Sequence, residues 1–346
     1  MRMSWLRLEK FTFFVLLFSI PFQKRNFLFG PGLPQTTEFF EWGSAFLYFT
    51  DFLILLLFGF WIWGFRSKMK KGEVAENSTP PVAPPFAGGG FRGGMHVMLL
   101  LFLGFALISL IQAELMNVGV YRFLKLTEFV LLFFYIANRV PKIGVKPILV
   151  AFVASGAFQS VIAILQFMKQ SSLGLEVFHE STLAIGMKGV AHIAADGVSL
   201  IRAYGTFPSP NVLAGFLGVC LLVLFCLFVS SGQKNQNLKR TGDYYNVRSY
   251  VMLICIFLLS LGLILTFSRG VIIFFACTSA VFFAGIFLAE KLQYYKKRAI
   301  QVAGFVLVSW SVILAAAWPE VSTRFLESSA SEPAIQEHSS YLWRSL

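Results

Sequence analysis

Nine apolar runs, each separated from the next by a polar or basic stretch, constrain this chain more than any other feature. They cover about 8–22, 40–65, 95–113, 119–138, 147–167, 211–230, 250–267, 271–289 and 299–317. A helix needs about 20 apolar residues to cross the hydrocarbon core of a bilayer. Within lipid, a helix satisfies its own backbone. The pattern therefore predicts an all-α polytopic membrane protein with about nine transmembrane helices. Composition agrees: 57% of residues are hydrophobic and 13% are charged, with 40 phenylalanines, against about 25% charged in a soluble domain. Arg2, Arg7 and Lys10 precede the first run as they would in a signal peptide. Pro21-Phe22-Gln23 follows in place of a small-residue cleavage site, so the reading is a retained helix.

The net charge of +12 is explained by topology and needs no nucleic acid partner. With the N-terminus inside, the inner loops hold eighteen basic residues: Arg2, Arg7, Arg66, Lys68, Lys70, Lys71, Arg92, Arg139, Lys142, Lys146, Lys234, Lys239, Arg240, Arg248, Lys291, Lys296, Lys297 and Arg298. The outer loops hold eight: Lys24, Arg25, Lys169, Lys188, Arg202, Arg269, Arg324 and Arg344. That bias follows the positive-inside rule.

The chain reads as a single integral membrane domain, 1–346. Residues 66–94, with Pro80-Pro81, Pro84-Pro85 and Gly88-Gly89-Gly90, read as a flexible inner linker. Residues 168–210 form a long outer loop of mixed polarity, and 318–346 begin another. Cys220, Cys226, Cys255 and Cys277 all lie in apolar runs and fit neither a disulfide framework nor a metal site.

Two arginine-bearing segments lie at outer helix ends. Arg202-Ala203-Tyr204-Gly205-Thr206-Phe207-Pro208-Ser209-Pro210-Asn211 runs into the sixth apolar run, and Thr266-Phe267-Ser268-Arg269-Gly270 joins the seventh to the eighth. Pro208 and Pro210 disfavour a regular helix before 211, and Asn211 sits where an N-cap belongs. A helix N-terminus beside an arginine fork suits phosphate oxygens. Spacing equally admits arginines that reach lipid headgroups.

Arg122, Lys125 and Glu128 recur every three residues on one face of the fourth run. They read either as an internal ion pair, Arg122/Glu128 or Lys125/Glu128, or as a polar wall of an outer cavity also lined by Asn211 and Ser268. Asp51, with Glu41 and Tyr48 near it, needs a partner, and a basic residue of the fourth run can supply one. His96, His179, His192 and His338 show no spacing that makes a metal site, so none is expected.

The stretch from Arg202 to Phe216, R-A-Y-G-T-F-P-S-P-N-V-L-A-G-F, resembles the signature of the O-antigen ligase/polymerase superfamily, as does L-T-F-S-R-G at 265–270. P-F-Q-K-R at 21–25 and Y-F-T-D at 48–51 are weaker matches. The resemblance implies a GT-C-like membrane glycosyltransferase of the bacterial cytoplasmic membrane. It implies a polyprenyl-pyrophosphate-linked glycan donor and an acceptor that is lipid A core, a growing glycan or a protein. It implies no cofactor, no metal and no nucleic acid. Arg202 and Arg269 match the arginines that hold pyrophosphate in that family. The family's catalytic histidine lies in a large outer loop after the run at 299–317. The chain ends at Leu346 within that loop, so the resemblance implies a C-terminally truncated member lacking that base, and His338 is not assigned its role. The readings from other classes are a lipid-linked glycan flippase and a non-catalytic membrane protein.

Overall fold

The computed structural model describes residues 2–22, 24–30, 43–69, 91–187, 189–195, 198–231, 242–316 and 318. The linker at 70–90, Glu41, the tail from 319 and His338 lie outside the described residues. Among the described residues the elements run α1 (Arg2–Ser19), β1 (Arg25–Phe29), β2 (Ala45–Tyr48), α2 (Phe49–Met69), α3 (Phe91–Ser109), α4 (Met116–Ile143), α5 (Val145–Lys169), β3 (His192–Ala195), β4 (Val198–Ile201), α6 (Pro210–Ser230), α7 (Gly242–Leu265), α8 (Arg269–Leu288) and α9 (Gln293–Ala316).

Each of these nine α-helices overlies one of the nine apolar runs. Five are long and apolar enough to cross a membrane: 145–169, 210–230, 247–265, 269–288 and 290–316. This is the make-up of an all-α membrane protein, and the count is smaller than nine for physical reasons. The apolar parts of α2 and α3 are short, Phe49–Gly64 and Val97–Gln112. In α2 this happens because 45–48, expected to be helical, form a strand that pairs antiparallel with β1. Charged residues interrupt the other two: Arg7, Glu9 and Lys10 in α1, and Arg122, Lys125, Glu128 and Arg139 in α4.

The chain divides into two compact units, Met1–Phe152 and Val153–Leu346, where the sequence reads as one domain. In the first, Phe13 and Leu16 of α1 cluster with Leu53, Ile54 and Leu57 of α2 and with Tyr135 of α4. The buried Glu9 carboxylate accepts from Arg139 Nη2 at 3.0 Å and from the Tyr135 hydroxyl at 3.0 Å. That pair fastens α1 to α4.

In the second unit α6 packs against α7, α8 and α9. Leu213, Leu217, Leu221 and Phe225 are buried at four-residue spacing along α6, one ridge of the helix. Phe225 meets Phe275 of α8, whose ring stacks on Trp310 of α9 at 5.6 Å. Helices approach closely where side chains are small. A Cβ on Gly262 of α7 would lie 2.9 Å from Ser160 Oγ and 3.1 Å from Ser160 Cα on α5. A Cβ on Gly156 of α5 would lie 2.6 Å from Cys220 Sγ on α6. Such small-residue contacts are a common membrane packing device.

Gly262→Ala should therefore force α5 and α7 apart at a cost of about 1–3 kcal/mol, more than the ~1 kcal/mol that alanine gains as a helix former. Gly215→Ala on α6, with nothing within 4 Å of the added atom, should leave stability unchanged or raised. Thermal unfolding in detergent checks both, and equal midpoints for the two variants would contradict the packing.

Candidate functional site

The end of the second unit where α5 finishes and α6 begins is built by a run of polar contacts onto the segment 202–211. The hairpin of β3 and β4 delivers that segment: His192 is registered with Ile201, and Arg202 N–H donates to the Ala191 carbonyl at 3.1 Å. The chain then leaves the hairpin and meets α7. Ala203 N–H donates to the Leu265 carbonyl at 3.1 Å. Arg202 Nε donates to the Thr266 carbonyl at 2.7 Å, and Arg202 Nη2 donates to Asn211 Oδ1 at 2.9 Å. The two arginine-bearing segments, 55 residues apart along the chain from Asn211 to Thr266, are thus in direct contact.

Carbonyls at a helix C-terminus lack intrahelical donors. Here the last carbonyls of α7 receive them from the backbone of Ala203 and the side chain of Arg202. Arg202 is buried for this purpose, at 6% exposure.

Residues 204–206 are held from α5 by two glutamines. Gln166 Oε1 accepts from Gly205 N–H at 2.8 Å and Tyr204 N–H at 3.3 Å, while its Nε2 donates to the Gly205 carbonyl at 2.8 Å and Glu180 Oε1 at 2.7 Å. Glu180 also accepts from the N–H groups of Leu173 and Leu175, which folds the start of the loop onto α5. Gln159 Oε1 accepts from Thr206 N–H at 2.9 Å and from its hydroxyl at 3.2 Å. Gly205 has φ +61°, and a Cβ there would sit 2.7 Å from Gln159 Oε1. Only glycine suits both the conformation and the space.

Three observations concern the α6 and α8 N-termini. The N-cap of α6 is Ser209, whose hydroxyl accepts from Asn211 N–H at 3.3 Å, with Pro210 as the first helical residue. This corrects the expectation that Asn211 is the cap: proline takes the first helical position, where it loses no helical bond, and the Asn211 side chain serves Arg202 instead. The turn into α8 is tight. Thr266 Oγ1 donates to the Leu263 carbonyl at 2.6 Å, Phe267 N–H to Ile264 at 2.9 Å, and Ser268 N–H to Thr266 Oγ1 at 3.3 Å. Phe267 takes φ +49°, a left-handed conformation costly for a bulky residue. Its ring is 1% exposed and lies 5.8 Å from that of Phe167. Ser268 is the α8 N-cap residue and its side chain makes no capping bond; Arg269 follows as the first helical residue, half-buried, with Gly270 exposed beside it.

Arg122, Lys125 and Glu128 belong to the first unit. There Lys125 forms an ion pair with Asp51 and lies 3.5 Å from Glu128 Oε2. Asp51 Oδ2 also accepts from Tyr48 N–H at 2.8 Å. The expected basic partner of Asp51 on the fourth helix is Lys125. Glu180 is committed to backbone amides and Gln166, and among the described residues no three His, Cys, Asp or Glu side chains converge as a metal site would require.

Sequence reasoning missed Gln159, Gln166 and the structural role of Glu180. A signal existed for the glutamines: two amide residues seven apart, hence on one helix face, inside a largely apolar run. No protein-family model, curated protein or solved structure matches this chain.

Leucine at 166 would strip partners from both backbone groups of Gly205, whereas leucine at 159 affects Thr206 alone. With about 1–3 kcal/mol for each buried polar group left unpaired, Gln166→Leu should lower the thermal midpoint distinctly more than Gln159→Leu. The reverse order would contradict the clamp.

Proposed function

We propose that this chain transfers a glycan from a polyprenyl-pyrophosphate carrier to an acceptor, in the manner of the O-antigen ligase/polymerase superfamily. The observation that carries the reading is the junction of its two arginine-bearing segments through Arg202 and the Thr266 carbonyl. It joins the segment that resembles the family signature to the turn that leads into Arg269 and α8. A pyrophosphate departing from a sugar develops negative charge. Fixed cations and helix N–H groups aimed at it lower the barrier. In this reading Arg202 and Arg269 form the pyrophosphate end of the site, with Asn211 and Ser268 beside them.

The membrane arrangement belongs to the same proposal. All nine helices span a bacterial cytoplasmic membrane in a GT-C-like fold, with the N-terminus inside and the arginine segments outside. The basic-residue bias supports that orientation. The ion pair between Glu9 and Arg139 supports placing α1 and α4 in lipid, because a paired charge costs less there than an isolated one. The acceptor is a lipid A core, a growing polysaccharide or a protein.

In the whole protein, Arg269→Ala should reduce transfer from an undecaprenyl-pyrophosphate-linked glycan by about 100-fold or more, the scale of losing one preorganised charge-stabilising group. Arg269→Lys should also impair transfer, since lysine lacks the planar fork. The assay is glycan transfer in detergent with donor and acceptor on one side, at matched expression. Normal transfer by both Arg202→Ala and Arg269→Ala variants would sink the proposal.

A further inference from the structure

We infer that the end of the second unit opposite the arginine junction docks on anionic phospholipid headgroups, with Lys296 and Lys297 of α9 as its principal cations and Arg248 and Lys291 beside them. The inference uses the membrane arrangement proposed above and not the glycan-transfer reading.

The two ends are separated by α6. That helix begins at Pro210 beside the junction and runs 21 residues to Ser230, a length of about 30 Å. At its far end Arg298 of α9 fixes the place where three helices meet. Its Nη1 donates to the Ser249 hydroxyl of α7 at 3.1 Å, and its guanidinium lies 5.3 Å from the ring centroid of Phe228 on α6. Both partners are uncharged. The stretches that meet at this joint, 242–250 and 289–298, carry five basic residues, Arg248, Lys291, Lys296, Lys297 and Arg298, against two acids, Asp243 and Glu290. Among the described side chains none of the five forms an ion pair.

Such an arrangement runs against local electrostatics. Lys296, Lys297 and Arg298 are consecutive and repel one another. They also stand near the positive end of α9, and no acid occupies its first turn to offset them. An anionic surface facing this end relieves both effects.

The level of the charges selects a lipid surface over an anion in water. Arg248, Lys291 and Lys297 are exposed, and Lys296 is half-buried. Exposed apolar side chains begin within one turn of them. Ile300 comes three residues after Lys297 at 60% exposure, and Val251 three residues after Arg248 at 53%. Three residues are about 4.5 Å of helix. Leu288 precedes Lys291 by three residues and is exposed, as is Tyr294 between the lysines. A lysine so placed lays its stem on the apolar surface and lifts its ammonium to the phosphate level. Aromatic side chains favour the same depth. A soluble polyanion would match the charge and leave the apolar belt uncovered; a lipid leaflet matches both.

The test is native mass spectrometry of the whole protein in maltoside detergent. It is titrated with phosphatidylglycerol, or with phosphatidylcholine carrying the same acyl chains. The wild type should bind phosphatidylglycerol about tenfold more tightly than phosphatidylcholine. Each lysine near an anionic lipid surface contributes a factor of about five. Lys296→Gln/Lys297→Gln should therefore weaken phosphatidylglycerol binding by about tenfold or more and leave phosphatidylcholine binding unchanged. Lys169→Gln, at the other end of the unit, should alter neither. Equal binding of the two lipids by the wild type, or wild-type binding by the double variant, would overturn the inference. If the double variant does not fold, salt dependence of the wild type decides. Raising ammonium acetate from about 50 to about 500 mM should remove most of the preference for phosphatidylglycerol, and a preference that ignores salt would count against the cations. Inorganic phosphate, compared with acetate at equal ionic strength, should not displace the lipid. Displacement would reveal a site for free phosphate and overturn the lipid assignment.

Discussion

The hydrogen bond from Arg202 Nε to the Thr266 carbonyl closes the polar end of the second unit. Three helix ends meet there: α6 begins, α7 finishes and α8 begins. Each brings backbone groups without intrahelical partners. Arg202 and Ala203 satisfy the last carbonyls of α7, and the Arg202 fork reaches α6 through Asn211. A left-handed phenylalanine costs on the order of 1–3 kcal/mol. A hydrogen bond from a charged donor contributes about 1.5–3 kcal/mol. The two are of similar size, so the strained turn at Phe267 persists because the arginine bond and the burial of its ring hold it.

The glutamines do for 204–206 what the arginine does for the turn. An amide side chain offers a donor and an acceptor together, which is what a glycine with both backbone groups turned inward needs. Gln166 meets the N–H and the carbonyl of Gly205 at once. A carboxylate could accept but not donate, and an ammonium could donate but not accept. An uncharged clamp also leaves the arginines as the charged groups of these two segments.

The sequence displayed the helices more clearly than the site. Period, length and apolarity located nine helices, and the structure shifts their ends mainly where local chemistry intervenes. Tyr48 and its neighbours pair with β1 and so delay α2. Pro210 takes the first position of α6 and moves the cap to Ser209. Arg202 and Arg269 were visible because arginine is rare at helix ends in an apolar chain. Their junction was not visible, because it runs through the Thr266 carbonyl, and backbone groups carry no sequence signal. Gln159 and Gln166 are intermediate: their spacing was readable, but their partners in 204–206 lie 38 to 47 residues away, beyond any local pattern.

The same reasoning bears on α1 and α4, the helices whose charges exclude them on composition. A hydropathy window counts each ionised side chain as though it stood alone in hydrocarbon. In the first unit several of them do not stand alone. Glu9 meets Arg139 and the Tyr135 hydroxyl, and Asp51 meets Lys125, which also approaches Glu128. Breaking such a buried pair by removing one partner costs about 3–5 kcal/mol, because the remaining charge is then isolated. Charges on α4 are thus tolerated by what other elements bring to them. Such pairing is a property that composition cannot register.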